Sequence, residues 1–260
     1  MNMERQNIAI VVLSFDGFKD LWQPFFDFFF DCWPDCPYEI YLLNNYKEYN
    51  DIRVNNLLVG EDISWSHSLI KGLDKIQEER VFFIYDDCFF KKINIEQLCK
   101  YFLLGVENDL ISLQLRPSSF VSKFGANEPT LIPSRALYRN ALFLNLIKRK
   151  HLLSILKPGE SAWDFELNGN ARSQEYNYFS IRRSFIDYDH GIVKGKWFNV
   201  INKKLLKKGY KFEKLDRTMS VFETINLKVK TRFYEFCLYV IPLNFVLKIE
   251  NMRKNYIYTK

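Results

Sequence analysis

The sequence predicts an α/β fold: an open, mostly parallel sheet flanked by helices, followed by a C-terminal helical tail rich in basic and aromatic residues. Three observations predict it. Short apolar runs alternate with helical patterns from Ile8 to Leu115, as in successive strand–helix units. The runs are apolar at nearly every position, which suits strands covered on both faces of a parallel sheet. They also end in polar residues or glycine, on the edge where open α/β sheets bind ligands.

The elements follow in order. Ile8–Ser14 (IAIVVLS) is a buried strand, and Asp16-Gly17 turns the chain. Phe18–Phe30 is an aromatic helix ending near Trp33-Pro34. Tyr38–Leu43 is the second strand, closed by Asn44-Asn45, and Val54–Val59 the third, ending at Gly60. Asp62–Glu79 predicts a helix capped by Asp62 or Ser64, with Leu69, Ile70, Leu73 and Ile76 as its apolar stripe. Val81–Tyr85 is a strand that stops at Asp86-Asp87. Ile95–Gly105 predicts a helix and Leu110–Leu115 a strand. Residues 117–133 read as an irregular excursion. Leu137–Leu144 is expected as a strand, Leu146–Leu156 as a helix, Ser161–Ser173 as a helix capped by Ser161, and Tyr176–Arg182 as a strand. His190–Trp197 reads as a Gly/Lys loop. One domain over residues 1–218 and a helical extension over 219–260 are expected, the latter carrying the apolar stretch Phe233–Ile249.

Composition narrows the classes. With 48% hydrophobic and 17% aromatic residues the chain can bury a large core, which excludes a disordered protein. A net charge of +6 suits phosphorylated ligands or an anionic membrane surface. No nucleic-acid partner is expected, since no RNA-binding signature occurs. The 5 cysteines lack the paired spacing of a structural zinc site and read as free thiols. No signal peptide is visible, and no run reaches the ~20 apolar residues of a spanning helix. A cytoplasmic location is expected.

Three constellations carry chemistry. Asp86-Asp87 closes a buried strand with two carboxylates. Adjacent like charges resist desolvation, and a bound cation relieves them; Mg2+ or Mn2+ would use such carboxylates together with substrate phosphates. The second is Gly159–Glu166, where Glu160, Asp164 and Glu166 surround Trp163 at a helix start. A carboxylate there could take a proton from an attacking hydroxyl, and the Trp163 face offers a sugar ring an apolar platform. All three acids remain candidates. Arg172, farther along that helix, could steer a phosphate or pair with Glu166. The third is Asp189–Trp197, where glycines flank Lys194 and Lys196 beside His190, a pattern suited to an anion. No Walker A pattern is present.

The order of strand–Asp16, strand–Asn44-Asn45, Gly60, a helix opening at Trp65 and strand–Asp86-Asp87 resembles the GT-A fold of family-2-like bacterial glycosyltransferases. The stretches DISWSHSLIKGL, VFFIYDDCFF, KPGESAWDFELNGNARS and HGIVKGKWF resemble those of capsule and lipopolysaccharide biosynthesis transferases. The resemblance implies a nucleotide-diphosphate-sugar donor, a UDP-sugar first among them, and a polysaccharide or lipid-linked oligosaccharide acceptor. It implies Mn2+ or Mg2+ held by Asp86, Asp87 and His190. It places Ser14, Asp16, Asn45, Trp65, Asp86, Lys194 and Lys196 on the donor. Glu160, Asp164 and Glu166 become candidates for the base, with Trp163 and Arg172 on the acceptor. The two acids here are adjacent, where the family separates them by one residue, and Ser161 stands where it usually has the base Asp. Lipid-linked acceptors imply the cytoplasmic face of the inner membrane, where the basic-aromatic tail from Val221 onward would attach. A nucleotidyltransferase is the alternative enzyme class, but Phe15–Lys19 lacks its repeated glycines. A non-catalytic sugar- or membrane-binding module is the other alternative.

Overall fold

The computed structural model describes residues 7–118, 121, 125, 128–136, 138–193, 196–210, 218–226 and 229–230. Its first elements are β1 (Ile8–Leu13), a 3-10 turn at Asp16–Phe18, α1 (Lys19–Cys32), β2 (Glu39–Asn44), β3 (Val54–Leu58), α2 (Trp65–Asp74), β4 (Arg80–Tyr85), β5 (Cys88–Ile93), α3 (Ile95–Glu107) and β6 (Ser112–Gln114). They are followed by β7 (Thr130–Leu131), β8 (Asn145–Lys148), α4 (Arg149–Ile155), α5 (Ala162–Arg172), β9 (Tyr178–Ser180), β10 (Ile186–His190), β11 (Ile192–Val193), β12 (Lys196–Trp197) and α6 (Asn199–Lys207).

Eight strands form one mixed, mostly parallel sheet in the order β3-β2-β1-β4-β8-β6-β9-β7. The first four run parallel, with Leu13 beside both Leu43 and Tyr85 and Asn44 beside Leu58. That register aligns their carboxyl ends, so Ser14, Asn45, Gly60 and Asp86 share one edge. β8 lies antiparallel between β4 and β6, which turns β6 to run the same way as β4. Residues just after β6 therefore reach the same edge.

The sheet buries both faces, which explains its uninterrupted apolar strands. On one face Ile8, Ile10 and Val12 pack with Trp22, Phe25, Phe26 and Phe29 of α1 and with Tyr101 and Phe102 of α3. On the other, Ala9 and Val11 meet Leu69 and Leu73 of α2, Leu152 and Ile155 of α4, and Phe165 of α5. α2 approaches the sheet closely: a Cβ at Gly72 would lie 2.4 Å from Leu43. β5 and β10 form a separate antiparallel ribbon over the strand ends.

Several expectations change. Ser64, not Asp62, caps α2 through the His67 amide at 3.2 Å, and the helix ends at Asp74 rather than Glu79. The stretch expected as a strand up to Leu144 is instead turns over residues 138–144, with Tyr138 at φ 57° and Leu144 at φ 53°. Buried Arg139 lies within these turns. Its guanidinium donates to the carbonyls of Ser173 and Tyr176, both at 2.8 Å. The strand follows as Asn145–Lys148, taken from what read as the start of a helix. Pairing on both edges with β4 and β6 overrides its helical pattern. The strands β5 and β10 and helix α6 also lie where none was expected. The expected C-terminal tail falls mostly on residues 231–260, outside the described residues, as does Lys194. Residues 221–226 are helical.

Candidate functional site

At the first strand end the Ser14 hydroxyl donates to the Asp86 carboxylate and accepts from the Trp22 indole N–H at 2.7 Å. Asp86 is almost fully buried. Burial raises its carboxyl well above the usual range; the Ser14 bond opposes the shift and neighbouring Asp87 adds to it. Asp16 closes the next strand end: its carboxylate accepts the backbone amides of Asn45, Tyr46 and Lys47 at 3.1–3.2 Å. Asn45 in turn accepts the Asp16 amide at 3.2 Å and donates to the Gly60 carbonyl at 3.0 Å. Gly60 sits at φ 80°, a conformation natural to glycine. These bonds fix the floor of a cavity of about 160 Å³ lined by Ser14, Phe15, Asn45, Asp62, Trp65 and Ser68. Ser14, Asn45 and Trp65 thus meet in one place, with Asp16 bracing the loop beneath them.

Asp87 begins a second group. The β5–β10 ribbon sets Cys88 directly opposite His190, with Gly191 against the Asp87 carbonyl. A Cβ at Gly191 would lie 2.4 Å from the Phe89 ring, so glycine allows this close approach. Ligand atoms of Asp87, Cys88 and His190 all lie within 4.8 Å of one another. Cys88 Sγ is 3.5 Å from Asp87 Oδ1 and 3.4 Å from His190 Nδ1. Burial raises the Asp87 carboxyl, and the charge of His190 opposes that shift. Asp86, turned toward Ser14, is not in this cluster. The donor set is one oxygen, one nitrogen and one sulfur. It fits a divalent transition metal and fits magnesium, which prefers oxygen, less well.

A larger cleft, of about 300 Å³, opens beside the cluster. Its walls include Tyr85, Arg116, Phe143, Trp163, Glu166 and His190. Trp163 and Glu166 are three positions apart on α5 and so share a helix face. Trp163 is 66% exposed, with its ring open to a ligand. Burial pushes the Glu166 carboxyl up to about 7, against the lowering influence of the Arg116 charge. Trp65 of the smaller cavity packs on Phe165 of α5 at a ring separation of 5.5 Å.

The other acids of that segment serve its architecture. Asp164 completes a capping box with Ser161, accepting its hydroxyl at 2.7 Å. Glu160 binds Arg172 in a two-pronged pair at 2.9 and 2.6 Å, and Arg172 also donates to the Ile155 carbonyl at 2.6 Å. Arg172 therefore pairs with Glu160 rather than Glu166. Lys196 forms a surface pair with Glu223 at 2.6 Å and lines neither cavity. Arg116 and Cys88 were not singled out from the sequence. Arg116 follows the strand Leu110–Leu115, so the same strand-end rule that found Asp86 points to it. Cys88 lies beyond a strand end, and its partner His190 is 102 residues away.

The mixed, mostly parallel sheet flanked by helices makes this a Rossmann-like α/β protein, and the two cavities and the Asp87–Cys88–His190 cluster lie at the carboxyl ends of its strands. No family model matches the sequence, and no curated protein matches it. Solved structures do. Staphylococcus aureus TarS 1–349 in complex with UDP-GlcNAc is 12% identical, with a TM-score of 0.46 over 69% of this chain and 57% of that one. A197 from STIV is 15% identical, with a TM-score of 0.41 over 73% and 87%. The galactosyltransferase LgtC, in complex with donor and acceptor sugar analogs, is 12% identical, with a TM-score of 0.40 over 66% and 72%. The chain spans less than two thirds of the TarS 1–349 structures, 57% of one and 59% of another. Among the described residues no helix is long and apolar enough to cross a membrane.

Proposed function

We propose that this chain is a metal-assisted glycosyltransferase of the GT-A type that moves one hexose or N-acetylhexosamine from a nucleotide-diphosphate sugar, a UDP-sugar first among them, to a saccharide acceptor. The observation that carries this is the order of features along the sheet edge: a ring-sized cavity at Ser14 and Trp65, the Asp87–His190 ligand pair, then a cleft holding Glu166. A nucleotide sugar has the same order of parts. The base lies against Trp65. The diphosphate lies near Asp87 and His190, which would hold a divalent ion. The sugar enters the cleft, where the acceptor ring stacks on Trp163.

In the transfer, the Glu166 carboxylate takes the acceptor hydroxyl proton as that oxygen bonds to the anomeric carbon. The bond from this carbon to the diphosphate oxygen breaks, and its electron pair leaves with the nucleotide diphosphate. Such a single displacement inverts the anomeric centre. A carboxyl raised to about 7 is matched to this task, since it ionises near neutral pH and is still a useful base. The divalent ion, when bound, supplies charge neutralisation for the departing diphosphate. Asp86 acts as a positioning residue through Ser14.

Resemblance to capsule and lipopolysaccharide transferases makes the acceptor a growing polysaccharide or a lipid-linked oligosaccharide at the inner membrane's cytoplasmic face. Exposed Val221, Phe222 and Ile225 at the start of the tail support contact with that surface. A donor screen tests the function. Thermal shift and nucleotide release would be followed with UDP-, GDP-, TDP- and CMP-sugars, without metal and with Mn2+, Co2+ or Zn2+. A metal-dependent response to one nucleotide family is expected; no response to any of them refutes the proposal.

A further inference from the structure

We propose that Cys88 is itself a metal ligand, so that the Asp87–Cys88–His190 cluster selects a thiophilic divalent ion of the zinc and cobalt(II) class over manganese or magnesium. The inference deepens the metal-assisted reading and rests on it for the ion's role, but ion binding itself can be tested without donor or acceptor.

The geometry of the three donors carries it. In an antiparallel ribbon, directly opposed residues project to the same face. Cys88 and His190 are such a pair, so sulfur and imidazole converge because of the strand register. Asp87 precedes the ribbon in the turn after β4, which frees its carboxylate from the strand alternation and brings it to the same point. Both separations that involve sulfur match a tetrahedral centre, and the Asp87 and His190 donors lie within 4.8 Å of each other. With metal–sulfur near ~2.3 Å and metal–nitrogen or metal–oxygen near ~2.0 Å, ligand atoms at tetrahedral angles lie ~3.5 Å apart. Cys88 Sγ stands 3.4 Å from the His190 nitrogen and 3.5 Å from the Asp87 oxygen. An ion placed among them has three protein ligands and one open position, the arrangement of a site that also takes a substrate oxygen.

Sulfur decides the ion. Thiolate prefers zinc, cobalt(II) and softer ions, whereas magnesium and manganese favour oxygen. Binding converts the Cys88 thiol to a thiolate and releases its proton to solvent, so uptake of the ion acidifies an unbuffered solution. The buried sulfur is enclosed by Asp87 and His190, and His190 is exposed, which gives the ion a route in from the cleft.

The test is a cobalt titration of the full chain after chelator treatment, followed by absorbance. Expected is a near-ultraviolet sulfur-to-cobalt charge-transfer band that saturates at one ion per chain. Zn2+ should erase it at equal concentration, while Mg2+ should leave it intact at ~100-fold excess. Cys88→Ser should abolish the band and weaken zinc binding ~10-fold or more, with little change in Mn2+ affinity. Since Cys88 is buried, His190→Ala at an exposed position is the second variant; it should weaken cobalt binding without lowering the melting temperature. Absence of the band in the unmodified chain overturns the inference. So does a band that survives Cys88→Ser, which would place the ion on another cysteine. A clear band with no nucleotide-sugar binding would instead sink the transferase reading and leave the metal site standing. Nucleotide sugars that bind with Mn2+ in the absence of any cobalt–sulfur band would do the reverse.

Discussion

The smaller cavity is lined from three neighbouring stretches, Leu13–Phe15, Leu43–Asn45 and Asp62–Leu69, whereas the larger draws on five that run from Tyr85 to His190. The first is held by hydrogen bonds between neighbouring strand ends and a helix cap: Asp16 on three consecutive amides, Asn45 on Gly60, Ser64 on the first turn of α2. The second brings together side chains of separate elements, with Glu166 on α5 and Arg116 after β6 lining one cleft. The difference matches the division of labour in the proposed transfer. A pocket whose polar groups are already satisfied by the backbone offers a rigid rim and an aromatic face, which suits recognition. A cleft that buries a carboxylic acid holds a group whose protonation is set near neutrality, which suits proton transfer.

Substitutions can break this contrast. The largest effect is expected from Glu166→Gln, which should lower kcat by ~100–10,000-fold while donor affinity, measured by calorimetry, stays within about twofold. Asp87→Asn comes next. It removes the carboxylate from the ion site and should cost ~100-fold in kcat/KM, with loss of metal-dependent donor binding in a titration. Trp65→Ala should act on the other cavity alone. About tenfold weaker nucleotide binding is expected from the lost ring contact, with kcat nearly unchanged.

The pH profile sharpens the contrast further. In the proposed transfer Glu166 takes a proton only when ionised, so kcat/KM should rise with pH through about 7, to which burial raises its carboxyl. The Arg116 charge favours the ionised form. Arg116→Gln should therefore move the rising limb to higher pH, and Trp65→Ala should not move it at all. The smallest effect falls on Asp164→Ala, which disrupts the capping box of α5 and should cost about 1 kcal/mol in denaturant unfolding. Its KM and pH limb should stay as they were. A loss of kcat as large as that of Glu166→Gln would move the base to Asp164.

The strand ends were legible in the sequence where strands were long and apolar. β1, β2, β3 and β4 end within one residue of where their patterns stop, which places Ser14, Asn45 and Asp86 at strand ends as the sequence predicts. The segment Gly159–Glu166 stood out in the sequence too, but which of its acids lines the cleft was not legible. Asp164 and Glu160 are taken by Ser161 and Arg172, and a sequence does not show such partners. β8 was hidden because its pattern reads as helix until its two neighbours pair with it. The ribbon of β5 and β10 was hidden by separation. Cys88 reads as one more buried thiol until His190 arrives opposite.

The most direct measurement is a crystal structure of the chain with a nucleotide sugar that thermal shift has selected, soaked in the presence of a divalent ion. The account predicts the base against Trp65, the diphosphate between Asp87 and His190, and the sugar in the cleft with its anomeric carbon facing Glu166. A nucleotide lying elsewhere, or one seated in the small cavity with its sugar turned away from Glu166, would contradict it.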